Sequence, residues 1–159
     1  MGKENELAIV LGKKLLEQHK TLSFAESCTG GLASSLVTDV AGSSEYLVGS
    51  AVTYTNEAKY KLLEVQETTL TNYGAVSKQT ACEMAQGVRK LFGSDFGVGI
   101  TGNAGPGGSE GKPVGLVYIA VATGKEVYCK EYLFTDDRIE NKLRIALTAI
   151  SMVIDKLSE

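Results

Sequence analysis

Apolar residues recur at helical spacing over residues 5–18, where Leu7, Val10, Leu11 and Leu15 share a face, and predict an amphipathic helix. Thr21 to Ala25 (TLSFA) reads as a short strand. Cys28 to Val37 reads as a second helix, with Ala33, Leu36, Val37 and Val40 in helical register. The loop Ala41-Gly42-Ser43-Ser44 leads to a strand from Tyr46 to Tyr54, rich in Val, Tyr and Thr, and a short helix follows over Asn56 to Leu63. Gly74-Ala75-Val76-Ser77 opens a longer helix capped by Ser77, with Ala81, Ala85, Val88 and Phe92 on one face. Phe96 to Thr101 is an apolar strand that runs into a glycine-rich loop, Gly102 to Gly108. Val114 to Thr123 and Val127 to Phe134 predict a hairpin turning at Gly124-Lys125. The last helix, Arg138 to Leu157, would bury Leu143, Ala146, Leu147, Ile150, Val153, Ile154 and Leu157. Alternating helices and strands predict a layered α/β/α domain, and the hairpin makes its sheet mixed. No repeat, linker or low-complexity stretch divides the chain, so residues 1–159 read as a single domain.

Composition agrees with one core. The 159 residues are 43% hydrophobic and 22% charged, a globular balance that a single domain of this length can bury without disulfides. The net charge of −3 is spread without a basic stripe, which argues against a nucleic-acid surface and still allows one nucleotide in a local pocket. The three cysteines (Cys28, Cys82, Cys129) are far apart in sequence and suit a reducing compartment. The first residues lack the apolar core of a secretory signal, and no apolar run approaches the ~20 residues of a membrane span. A cytoplasmic protein without membrane association is the expectation.

The candidate chemistry is shaped by a shortage. The only histidine, His19, sits at the polar end of the first helix, so no Ser-His-Asp triad, Cys-His dyad or histidine-bearing zinc site can form. A hydrolase built from this chain must take its base from Lys, Tyr, Asp or Glu. Four segments could supply a site. In Ala25-Glu26-Ser27-Cys28-Thr29-Gly30-Gly31, between a strand and a helix, free amides could hold an oxyanion beside a reactive hydroxyl. Ser27 or Thr29 could equally be a helix cap, and Cys28 is either a rival nucleophile or a small buried hydrophobe. In Val52-Thr53-Tyr54-Thr55-Asn56-Glu57-Ala58-Lys59, a cap at Thr55 or Asn56 puts Lys59 in the first turn of a helix, where the dipole lowers its pKa. Lys59 is then either a proton acceptor or a solvated partner of Glu57 or Glu64, and Tyr54 either a second proton carrier or an edge of the core. Glycines after the strand at Gly99-Ile100-Thr101 let amides converge on an anion. That loop lacks the Gly-Lys-Ser/Thr of an ATP-binding loop and the spacing of a dinucleotide fingerprint. Finally, Asp136 or Asp137 caps the last helix, and Arg138 is a cation where the dipole disfavours one, which hints at an anionic partner. Arg144, further along, reads as a surface residue.

Taken in order, AESCTGG, VTYTNEAK, GAVS, GITGNAGPGG, KPVG and FTDDR resemble the CinA C-terminal domain family over nearly the whole chain. The resemblance implies a metal-free and cofactor-free amidohydrolase that converts nicotinamide mononucleotide to nicotinate mononucleotide and ammonia, as a homo-oligomer, most simply a dimer. It implies Ser27 as nucleophile, Lys59 as its lysine partner and Tyr54 in the same motif. Thr101 with the loop Gly102, Asn103, Ala104, Gly105 and Gly107 would line the nucleotide site, and Arg138 would follow as the family's arginine. Cys28, Thr29 and Gly30 would then offer the oxyanion amides. Two departures stand out: Asn103 replaces a usual aliphatic residue, and Asp136 a usual glycine. Many family members carry a second domain fused ahead of this one.

Overall fold

A computed structural model describes the backbone of residues 3–159 and the side chains from Glu6 onward. The chain runs α1 (Lys3–Gln18), β1 (Leu22–Glu26), α2 (Leu32–Thr38), a 3-10 turn (Ser43–Glu45), β2 (Leu47–Val52), α3 (Asn56–Leu63), α4 (Glu67–Tyr73), α5 (Lys78–Phe92), β3 (Phe96–Gly102), β4 (Leu116–Ala122), β5 (Val127–Leu133) and α6 (Arg138–Leu157). The five strands form one mixed sheet in the order β2-β1-β3-β4-β5. β1 is parallel to both neighbours, whereas β3, β4 and β5 pair antiparallel. β1 is buried at every position and β3 at all but its last, as strands with both faces covered must be.

Helices α1, α2 and α6 cover one face, where Leu11, Leu15, Leu36, Val37, Ile145, Ile150 and Val153 pack on Phe24, Val98, Ile100 and Ile119. Against the other face, Met84 and Val88 of α5 and Leu63 of α3 close on Ala25 and Ala51. α5 lies directly on the backbone of β3, because Gly99 presents no side chain there. A Cβ on Gly99 would stand 2.3 Å from the Ala81 carbonyl. The predicted three-layer α/β/α fold is therefore the observed one. No helix among the described residues is long and apolar enough to cross a membrane.

The strand order decides where a site can form. β1 lies between β2 and β3, so the chain leaves its carboxyl end toward one side and later returns on the other. Crevices open at such a switch point, beyond the carboxyl ends of the parallel strands. Ser27, Thr53 and Gly102 all stand there.

Some boundaries differ from the sequence reading. α2 starts at Leu32 rather than Cys28, because Gly30 and Gly31 adopt left-handed φ angles of 61° and 105° and hold residues 27–31 in a turn. α4 was not expected. Its sequence ETTLTNY is poor in helix formers, and contacts from elsewhere stabilise it: the Glu83 carboxylate accepts from Thr69 Oγ1 at 2.6 Å and from the Gln66 amide at 2.9 Å. β4 begins at Leu116, two residues later than predicted, because the Gly115 amide instead donates to the Asn103 carbonyl at 2.7 Å.

Candidate active site

Ser27 leaves β1 with its amide still in the sheet, donating to the Ile100 carbonyl at 3.1 Å, so its backbone is anchored to β3. Across the crevice, Thr55 caps α3 by accepting from the Ala58 amide at 3.1 Å. That cap fixes the first turn of α3 and turns Lys59 inward. The Lys59 side chain is 1% exposed, and its Nζ donates to Ser27 Oγ at 3.0 Å and to the Thr53 carbonyl at 2.7 Å. Among the described residues no carboxylate pairs with the ammonium at contact distance. Burial therefore lowers the Lys59 pKa from 10.5 to about 8, with Cys28 and Glu110 acting the other way. The cause is burial rather than the helix dipole invoked above, and the solvated pairing with Glu57 or Glu64 is not found. Glu57 pairs with Lys61, and Glu64 with Lys90.

The magnitude of the shift decides whether this lysine can act as a base. At pH 7 a lysine of pKa 8 is roughly one-tenth free amine, against roughly one part in three thousand at 10.5. Cys28 is no rival: it is 6% exposed, and burial pushes its thiol up to about 12, which leaves it neutral.

Ser27 and Lys59 face a cavity of about 280 Å³ lined also by Cys28, Tyr54, Ala75, Val76, Thr101, Gly102, Asn103, Ala104, Gly105, Gly107, Ser109 and Arg138. A roomier depression of about 420 Å³ opens between α5 and β5 but touches none of Ser27, Lys59 or Arg138, so the smaller cavity is the candidate site. The remaining predicted residues divide by what their polar atoms do. Arg138 donates to the Gly105 carbonyl at 2.5 Å and to the Tyr54 hydroxyl at 3.0 Å, joining the glycine-rich loop to the opposite wall. Tyr54 is 59% exposed at the wall of this cavity, and its hydroxyl accepts from Arg138. Thr101, also in the cavity wall, donates to the Ala75 carbonyl at 2.8 Å. Asn103 supports the loop from within, its Nδ2 donating to the Pro113 carbonyl at 3.3 Å and its Oδ1 accepting from Ser109 at 2.7 Å.

The oxyanion assignment is narrowed in the same way. The Gly30 amide donates to the Ser27 carbonyl at 3.0 Å and is already used, whereas among the described residues the Cys28 and Thr29 amides meet no backbone carbonyl. In the glycine-rich loop the amides of Ala104, Gly105 and Gly107 likewise meet none among the described residues. The carbonyls of Ala104 and Gly105 are turned away to Asn141 Nδ2, at 3.0 Å, and to Arg138. Of the two departures, Asp136 does not stand free at the site, because it pairs with Arg144 at 2.5 Å. Asp137 is the cap of α6 and accepts from the Glu140 amide at 2.9 Å.

Several contributors escaped the sequence reading. Glu110 accepts from the Ala75 and Val76 amides at 2.8 and 3.0 Å, and Lys112 donates to the Tyr73 carbonyl at 2.7 Å and to the Val76 carbonyl. This acid–base clamp ties the far limb of the glycine-rich loop to the cavity wall. Asn141 is fully buried and supports the near limb; its signal was a polar residue in the apolar stripe that continues through Ile145 and Ala149. Among the described residues, no group of three or more His, Cys, Asp or Glu side chains is placed to hold a metal ion.

This geometry can be set beside known proteins. Residues 4–157 match the model of the CinA C-terminal domain. The chain belongs to that family. It is 51% identical over 158 residues to a CinA-like protein of Endomicrobium trichonymphae, covering 98% of this chain and 37% of the relative. A CinA-like protein of Desulforapulum autotrophicum is 50% identical over 142 residues, covering 88% of this chain and 34% of that protein. The chain thus spans little more than a third of these curated relatives, as a single CinA C-terminal domain. Solved structures of the family agree with it along their length. The competence/damage inducible protein CihA of Agrobacterium tumefaciens superposes with a TM-score of 0.94 at 42% identity, covering 100% of this chain and 98% of that one. A CinA superfamily protein of Klebsiella pneumoniae gives 0.95 at 31% identity, covering 98% of each.

Proposed function

We propose that this CinA domain hydrolyses the carboxamide of nicotinamide mononucleotide to nicotinate mononucleotide and ammonia, with Ser27 as nucleophile and Lys59 as base. The observation that carries the reading is the contact between a buried, partly neutral lysine amine and a serine hydroxyl at the mouth of a cavity. In its free-base form Lys59 accepts the Ser27 proton while the Oγ attacks the amide carbon. The Cys28 and Thr29 amides, which meet no backbone carbonyl among the described residues, are the donors this reading assigns to the tetrahedral oxyanion. Collapse returns the proton from Lys59 to the departing ammonia and leaves an ester on Ser27. Water, deprotonated by the same amine, then cleaves that ester to the acid and restores the serine. At 3.0 Å the amine reaches Ser27 directly, so the proton transfer does not require the Tyr54 hydroxyl as a relay.

The substrate assignment draws on the glycine-rich loop and Arg138, which line the same cavity. Unused amides of the glycine-rich loop and the Arg138 guanidinium offer donors to a phosphate, and the phosphate's binding energy holds the amide against Ser27. The test is ammonia release from nicotinamide mononucleotide by the purified chain, with nicotinamide riboside beside it. The mononucleotide should be preferred, and Arg138→Ala should erase most of that preference by raising KM for the mononucleotide roughly 10- to 100-fold, the range for a lost charge-assisted contact. Equal turnover of both compounds by the unaltered chain would point to another small amide. Saturable nucleotide binding without ammonia at any pH would point to a binding module.

A further inference from the structure

We propose that Glu26 is a positioning residue for Ser27: its buried carboxylate holds the 27–31 turn and the start of α2, and so fixes the nucleophile against Lys59. The inference rests on the serine–lysine reading above. Glu26 ends β1, is fully buried, and has no part in the chemistry as described. Its Oε1 accepts from Thr29 Oγ1 at 2.6 Å and from the Ala33 amide at 2.9 Å. Its Oε2 accepts from the Ser34 amide at 3.0 Å and from Ser34 Oγ at 2.5 Å, and Ser34 Oγ in turn meets Ser50 Oγ of β2.

The pattern has a specific meaning. The residue at the N-cap of α2 is Gly31, which has no side chain with which to cap. A normal cap accepts from the second and third amides of the helix. Those are Ala33 and Ser34, and Glu26 takes both. Capping from five residues upstream closes the chain around Ser27 instead of merely ending a helix. Such closure is needed because Gly30 and Gly31, both at positive φ, would otherwise leave the turn loose. One side of the turn is set by the Ser27 amide on β3, and the carboxylate sets the other.

The experiment measures the rate constant for labelling Ser27 with a fluorophosphonate, which does not depend on the nucleotide substrate. Ser27 Oγ bonds to phosphorus, the P–F bond breaks, fluoride leaves, and Lys59 takes the serine proton. A time course gives a rate constant per reactive site, so a loss of folded protein lowers the amplitude and not the rate. Glu26→Gln should lower that rate constant roughly 10- to 100-fold, as misplacing a reacting atom by about an ångström does. Glu26→Asp, which keeps the charge but cannot reach both amides, should fall between Glu26→Gln and wild type. In a Lys59→Met background the residual labelling should be far less sensitive to Glu26→Gln, because there is no amine left to align with.

A folded Glu26→Gln that labels at the wild-type rate would overturn the proposal, as would the same fractional loss with and without Lys59. If Glu26→Gln does not fold, Glu26→Asp labelling at the wild-type rate overturns it equally. Failure of the unaltered protein to label at Ser27 would instead sink the serine–lysine reading itself.

Discussion

Replacing Ser27 by Ala should lower kcat for ammonia release from nicotinamide mononucleotide by on the order of 10⁴-fold or more, the scale on which a covalent mechanism loses its nucleophile. The size follows from the surroundings. Ser27 Oγ is the hydroxyl that the buried amine touches, and the neighbouring thiol of Cys28, held up to about 12, has no thiolate with which to take over. The proposed oxyanion amides and phosphate donors are untouched by the substitution, so nucleotide binding and Tm should remain close to those of the unaltered protein. Isothermal titration with the mononucleotide, beside a continuous ammonia assay, separates the two effects. Near-normal turnover by this variant would remove the covalent intermediate from the account.

Lys59→Met is the second large effect. The side chains are close in length, so the space under α3 stays filled while the amine disappears. Activity should fall roughly 10³- to 10⁵-fold, in the range expected when an activating base is removed from a nucleophile. Stability should behave differently. Holding Lys59 charged in its site costs about 3 kcal/mol relative to water, from the change in pKa between 10.5 and about 8. Exchanging a buried charge for an apolar side chain of similar volume is often neutral or stabilising. A variant that is inactive yet melts at or above the wild-type Tm, read by calorimetry near pH 7, marks Lys59 as a residue kept for chemistry. A large fall in Tm would mean that the lysine is chiefly a structural brace between Ser27 and the Thr53 carbonyl.

Where a signal is local, the sequence reading and the structure coincide. Ser77 caps α5 as read, and of the paired candidates Thr55 or Asn56 and Asp136 or Asp137 the structure uses Thr55 and Asp137, because a cap acts within its own turn. The absence of a second histidine directed attention to Lys59, which the structure places on Ser27. What stayed hidden depends on partners distant in sequence. α4 is held by Glu83, the glycine-rich loop by Glu110 and Lys112, and the Ser27 turn by Glu26. The Tyr54 and Thr101 hydroxyls fall in the right cavity but are engaged by Arg138 and by the Ala75 carbonyl, contacts that no spacing rule reveals. The α2 boundary was misplaced for a plainer reason. Two successive glycines can take left-handed angles that an apolar periodicity cannot register.

The dependence of kcat/KM on pH tests the central claim most directly, because it reports the free enzyme's essential base. Lys59 is competent only when deprotonated. Activity should therefore be low at pH 6, rise tenfold per unit of pH, and level off above about 8, where burial has placed the amine. A rate that is flat from pH 6 to 10, or one still climbing toward the ordinary lysine range, would contradict a buried amine as the group that activates Ser27.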